Sequence, residues 1–393
     1  MVHGIFGAMS THPILNKRRS LLIAGLILAT SLAGLPLPAG LRTAAAPIPD
    51  QLSDQQFWKI SSESSEPDGD FRSDNLLSNE TTFQYVIPEL LQTTRRGGVY
   101  LGVGPEQNFS YIAALQPRIA FIVDIRRGNL LEHMLYKALM EMYDNRADFL
   151  SHLFARPRPP GLDSNSSAET LFAAYGTVRA DSMLWERTLA AVRNHLLKDH
   201  GFGLSEEDFS GPQGLIHVYD AFYRAGPEIN YNFSSGGGGF GRGMPNYATL
   251  MVQTDGAGAH RSYLASEALF RTLRDLEIKN LLVPLVGDFA GAKALRSVGQ
   301  YLKDHGVTVT AFYTSNVEQY LFQDPDNWRR FYANVGTLPI DASSTFIRSV
   351  GGGGLGRGGF GMGGSRLCSI ADLLKAYAEG RINFYQDVIG MSH

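Results

Sequence analysis

Residues 98 to 129, GVYLGVGPEQNFSYIAALQPRIAFIVDIRRGN, limit the possible folds more than any other part of the chain. Val99 to Val103 reads as a strand, Gly104 as a sharp turn, Pro105 to Leu115 as a helix, and Ile119 to Asp124 as a second strand. The local cues agree. Pro105 suits the first helical position, and Glu106 in the first turn complements the positive end of the helix dipole. Phe109, Ile112 and Leu115 recur at helical spacing, so one face of this helix packs on a sheet.

Further strand signals follow at Leu215 to Asp220, Leu281 to Val286, Val307 to Tyr313 and Thr345 to Val350, with amphipathic helices between most of them. This alternation predicts an α/β fold, a mostly parallel Rossmann-like sheet of about six or seven strands flanked by helices. Pro284 is awkward inside a central strand and points to a bulge or an edge. The sheet domain runs from residue 97 to 393, with a helical insertion over 144–210 that is larger than a normal crossover. Residues 47–96 are polar and read as a linker ending in a short helical arm near NETTFQYVIPELL. Two glycine-rich runs, 234–244 and 351–364, hold more than a third of the 43 glycines and read as flexible surface loops. The motif LKDHG occurs twice, at 197–201 and 302–306. In both, the histidine suits the carbonyl end of a helix dipole and the glycine a left-handed cap, so His200 and His305 are expected as caps. Ser315 and Glu318 have the spacing of a capping box.

In residues 1–46 a basic start (Lys17, Arg18, Arg19) precedes an apolar run from Leu21 to Leu35, then Pro36, Pro38 and small residues. That is the layout of an export signal, and Arg18-Arg19 resembles a twin-arginine signal. The apolar run of about 15 residues is short of the roughly 20 that span a bilayer, so no stable membrane span is expected after processing. The alternative is an uncleaved anchor. The expected location is outside the cytosol, in the periplasm. The formal net charge is −3, and the leader carries only positive charges, so the remainder is more acidic. An acidic body argues against nucleic acid as a partner and leaves a small-molecule ligand. The single cysteine, Cys368, excludes an internal disulfide and a cysteine-based zinc cluster.

The turn carries the chemistry. Gly102 and Gly104, at the end of the first strand, allow a ligand close to the backbone. Asp124 follows by roughly 20 residues at the end of the neighbouring strand, where a carboxylate accepts ribose hydroxyls. A dinucleotide fingerprint would need a glycine where Gln107 stands, and Glu106 at the helix start would repel a pyrophosphate. S-adenosylmethionine lacks phosphate and carries an ammonium that a carboxylate holds. Other candidates sit at strand ends: Tyr219 and Asp220 after the third strand signal, Asp288 after the fourth, Ser315 and Asn316 after the fifth. Asp288 and Ser315 are also natural helix caps, and Arg126 and Arg127 suit either an acidic substrate or a solvated helix start. A plain βαβ unit with glycines needed only for packing stays open. Scattered histidines give no metal-ligand spacing, so no metal is expected. No G-x-S-x-G, H-E-x-x-H or G-x-x-x-x-G-K-[ST] occurs.

The turn resembles motif I of class I methyltransferases. It departs in having Tyr100 where an acid is usual and Glu106 in place of the third glycine. YLGVGPEQNFSYIAALQPRIAFIVDIRRGNLLEHMLYKAL and LLVPLVGDFAGAKALRSVGQYLKDHGVTVTAFYTSNVEQYLF resemble a bacterial family of uncharacterised, methyltransferase-like proteins over roughly residues 75 to 350. That resemblance implies a fold and S-adenosylmethionine at Gly102, Gly104, Glu106, Asp124, Tyr219, Asp220 and Asp288, with no acceptor and no catalytic residue named. Two readings follow: a methyltransferase-like enzyme, or an exported Rossmann-like protein that binds its ligand without chemistry.

Overall fold

A computed structural model describes residues 46–71, 73–231, 244–352 and 361–393. Six strands form one sheet in the order β3-β2-β1-β4-β5-β6. They are β1 (Val99–Gly102), β2 (Ile119–Asp124), β3 (Leu282–Val286), β4 (Val309–Ser315), β5 (Ile340–Gly352) and β6 (Gly361–Ser369). Every neighbouring pair is parallel except β5 and β6, which form an antiparallel edge. Helices flank this sheet, so the fold is α/β with a mostly parallel sheet. β1 and β2 are buried along their whole length, as strands covered on both faces require. Val99 lies opposite Ile119 on one side and Val309 on the other, so the strand order reverses at β1. In such sheets a crevice opens outside the carboxyl ends of the strands at that reversal.

Within residues 47–96 the expected short helical arm is present at residues 83–93, but the stretch read as linker holds a further helix. Asp54–Ser64 is a helix, α1, closed by a Ser53–Gln56 capping box and packed against β3. The last turn of α1 and the segment after it cover the free edge of that strand. Ser61 Oγ donates to the Pro284 carbonyl (2.7 Å), Val286 N–H to Ser65 Oγ (2.9 Å), and Glu66 N–H to the Val286 carbonyl (2.8 Å). Pro284 is thus tolerated in an edge strand, one of the two positions its ring predicts. A 3-10 turn at Phe83–Val86 and α2 (Ile87–Thr93) follow, and the whole segment belongs to one compact unit with the sheet, Ala45–His393.

Among the described residues between β2 and β3, the regular elements are helices. After α3 (Gln107–Leu115), which joins β1 to β2, and α4 (Arg127–Met142) come helices at Arg146–Leu153, Ala168–Thr177, Ser182–Asn194 and Glu206–Ser210. The strand expected at Leu215 to Asp220 is instead the helix Leu215–Ala225. Leu215, Val218, Tyr219 and Phe222 are among its buried residues, a three-and-four spacing that a six-residue window cannot tell from alternation. Of the glycine runs, residues 234–243 and 353–360 lie outside the described residues. The flanks of the second run are paired strands, with Gly352 opposite Gly361. Residues 1–45 of the leader expected over 1–46 also lie outside them. Among the described residues no helix is long and apolar enough to cross a membrane.

Candidate functional site

A cavity of about 170 Å³ opens at the strand-order reversal. Each of four strands delivers its end to it: Val103, Gly104 and Pro105 after β1; Asp124, Ile125 and Arg126 at β2; Gly287, Asp288 and Phe289 after β3; Tyr313, Ser315 and Asn316 at β4. The remaining wall comes from Phe71, Asn75, Ser78, Asn79 and Glu80, with Tyr231 and Tyr320.

The turn is held from inside by Asn108, which the sequence does not single out. Its amide nitrogen donates to the carbonyls of Val103 (2.9 Å), Gly104 (3.2 Å) and Pro105 (2.7 Å), and its oxygen accepts from Tyr100 Oη (2.9 Å). His133 Nε2 adds a second donor to the Gly104 carbonyl (2.9 Å). Across a planar trans peptide, N–H points opposite to C=O. The Gly104 N–H is therefore turned away from Asn108. Gly104 has φ +76, and a Cβ there would meet only Asn75 Nδ2 at 3.7 Å, so its glycine is required by backbone conformation at an open wall. Gly102 has a different reason to be glycine. A Cβ would stand 1.9 Å from Asn108 Oδ1, and Gly102 does not line the cavity.

Asp124 lines the cavity and is buried, with Arg126 wrapped on it. Arg126 donates from Nε to Oδ1 (3.1 Å), from Nη2 to Oδ2 (3.3 Å) and from its own backbone N–H to Oδ1 (2.9 Å). Burial opposes the Arg126 charge, but the Asp124 charge and hydrogen bonds outweigh it and raise its pKa. An ionised carboxylate offers about four acceptor sites, so this fork leaves room for a further donor. Glu80 is engaged by Tyr313 Oη (2.7 Å), Ser315 Oγ (2.6 Å) and Gln107 Nε2 (2.8 Å). Ser315 reaches it from a left-handed backbone, φ +50, so Ser315 ends β4 and does not cap the next helix. Its expected partner Glu318 is buried against Arg348. Asp288 accepts from the Ala290 N–H (2.8 Å) in a tight turn at the cavity rim.

Of the expected site residues, Gly104, Asp124 and Asp288 meet at the cavity. Gly102, Glu106, Tyr219 and Asp220 do not line it. Glu106 turns inward, where its carboxylate accepts from Ser78 N–H at 3.3 and 3.5 Å. Burial pushes it up to about 8, against hydrogen bonds from its own backbone and that of Ser78. It is therefore not the group that meets a ligand at the helix start, and its repulsion of a pyrophosphate falls away. Tyr219 donates to the His152 carbonyl (2.6 Å), and Asp220 pairs with Arg224 (2.7 Å) on the Leu215–Ala225 helix. Below the turn, α4 contributes Glu132. Among the described residues neither of its carboxylate oxygens has a hydrogen-bond partner. Burial, then the neighbouring Glu106, pushes it well above the usual carboxylate range. His133 beside it is pushed down to about 4 by burial.

The arrangement suits a small amphipathic ligand. Aromatic side chains supply apolar walls, a carboxylate stands at the end of β2, and a turn free of side chains lets the ligand approach the backbone. Residues 76–359, more than two thirds of the chain, match the model of one family, described as a domain of unknown function (DUF7790). No curated protein matches.

Proposed function

The chain belongs to the DUF7790 family, and we propose that it binds S-adenosylmethionine in the cavity at the ends of β1 to β4, as a methyltransferase-like protein. The observation that carries this reading is the meeting of Gly104 and Asp124 at one cavity on the strand-order reversal, where ligands of doubly wound sheets lie. In this reading one ribose hydroxyl donates to the acceptor site of Asp124 that Arg126 leaves open. Phe71, Phe289 and Tyr320 supply the apolar surface for the adenine. Asp288 faces the ligand's ammonium. Methyl transfer chiefly requires donor and acceptor to be aligned, so the lack of an evident general base does not oppose it.

A second reading is binding without chemistry, favoured by one observation and by one expectation from the sequence. Glu80 and Asp124, the carboxylates best placed to act on an acceptor, are each held by several protein donors. The export signal read over residues 1–46 would also take the protein away from the cytosol, where S-adenosylmethionine is made.

Calorimetric titration of the full chain with S-adenosylmethionine tests the proposal, with Asp124→Asn as the control that keeps a partner for Arg126. Saturable binding that weakens at least about tenfold in the variant, a loss of roughly 1.4 kcal/mol, is expected. No heat, or equal affinity in a folded variant, removes the ligand. Release of S-adenosylhomocysteine in the presence of candidate acceptors then separates enzyme from binding protein.

A further inference from the structure

A second cluster lies at the other end of α4, roughly 20 Å along the helix from the cavity at 1.5 Å per residue. Glu141 comes from α4, His195 opens a single π-helical turn (His195–Asp199), and His200 follows it. One ligand atom from each lies within 4.8 Å of the others. His195 Nε2 and His200 Nε2 stand 2.9 and 2.7 Å from the same oxygen, Glu141 Oε2, and 3.2 Å from each other. The sequence expectation that His200 serves as a cap does not describe where its ring goes.

The far side of each ring is fixed by a carboxylate. His195 Nδ1 lies 2.9 Å from Asp199 Oδ2, and His200 Nδ1 lies 2.8 Å from Asp54 Oδ1, which is itself held by Asn280 Nδ2 (2.8 Å). A carboxylate on Nδ1 fixes the proton there and leaves Nε2 as a lone pair, the arrangement around metal-bound histidines. Lys137 Nζ binds the other Glu141 oxygen, Oε1, at 2.8 Å, which leaves Oε2 to the imidazoles. Phe202 stacks on the His200 ring at 4.7 Å and holds its plane. With that tautomer three acceptor atoms face one point, and either a proton on an Nε2 or a cation between them removes the repulsion.

The backbone is built for this convergence. In a regular α-helix, residues five apart point about 140° apart around the axis. The π turn, with the His200 N–H bonded to the His195 carbonyl (3.1 Å), widens the helix and brings both rings to one side.

We propose that Glu141, His195 and His200 bind a divalent transition-metal ion, zinc, with the fourth position open to water. Donors held at about 2.0–2.1 Å around a tetrahedral zinc stand roughly 3.3 Å apart; the two Nε2 atoms are 3.2 Å apart and lie 2.9 and 2.7 Å from Glu141 Oε2, so the ion requires the carboxylate to draw back by about half an ångström. The three side chains are 8, 20 and 14% exposed, so an ion has a path in from solvent. The ion joins α4 to the π turn directly and to α1 through Asp54. This site shares no residue with the cavity, and its test does not depend on the ligand proposed there.

The experiment is a zinc titration of the full-length protein after dialysis against a chelator, read by competition with a chromogenic chelator and by thermal shift. One tight equivalent that raises the melting temperature is expected. His195→Gln and His200→Gln should each lose it, and Asp199→Asn, which alters only a largely exposed second carboxylate, should weaken it about 10- to 100-fold with the fold intact. If the histidine variants fail to fold, Asp199→Asn alone decides. Absence of a tight equivalent, or one unchanged in these variants, overturns the site and leaves a cluster held together by protons.

Discussion

At the scale of single residues, Glu106 reads one way in the chain and another in space. Its place in the first turn of a helix is a local signal for a solvent-facing acid, yet its side chain enters the core beside Ser78 and Glu132. An acid raised to about 8 from an ordinary value of 4.5 keeps its proton in the folded protein across that interval, while the unfolded chain releases it. Its contribution to stability is therefore full below pH 4.5 and lost as pH rises through 8. Glu106→Gln removes that dependence. Urea unfolding from pH 5 to pH 8 should show the variant gaining on the wild type by on the order of 3 kcal/mol, with Glu277 and His133 cancelling in the difference. A gap that does not change with pH would contradict the assignment. Gly104 was legible because its backbone demand is local, whereas Pro105, expected at the first helical position, precedes the N-cap Glu106 of a helix that begins at Gln107. Asn108 was not legible, since gathering three carbonyls and filling the space beside Gly102 requires the folded turn.

Among elements, the strands and helices of the parallel core follow from their apolar runs, whereas the pieces that close its edges do not. SSESSEPDGD reads as linker because nothing in it is apolar. Its value lies in polar groups that bond to backbone elsewhere. Glu66 alone accepts from the N–H groups of Asp288 (2.8 Å), Lys293 (2.6 Å) and Ala294 (3.2 Å), closing the connection after β3. Glu66→Ala should cost roughly 1–3 kcal/mol in denaturant unfolding and speed hydrogen exchange at Asp288 and Ala294. Unchanged exchange at those amides would show that the connection holds without it. The LKDHG repeat makes the same point from the other side. His305 stays at its helix end, with Nδ1 2.7 Å from the Tyr301 carbonyl, while His200 meets groups from two other helices. Identical pentapeptides differ because only one of them has Glu141 and Asp54 within reach.

For the molecule as a whole, the sheet class was readable and the cavity's position followed from strand order, but only part of its lining did. Ends of strands can be counted along a sequence; the wall supplied by Phe71, Asn75, Ser78, Asn79 and Glu80 cannot, because nothing in those residues signals that they line the crevice. Phe71, set edge-on to Tyr320 at 5.7 Å, is on that wall. Phe71→Ala should lower affinity for S-adenosylmethionine about tenfold while leaving the urea midpoint nearly unchanged, a pairing that equilibrium binding and unfolding together check. A matching fall in stability would mean the ring serves the fold instead. Because this wall precedes the first strand, substitutions confined to ten residues can remodel what the crevice accepts without disturbing any strand pairing. Selectivity and architecture are thereby written in separate stretches of the same polypeptide, and each is free to drift at its own pace.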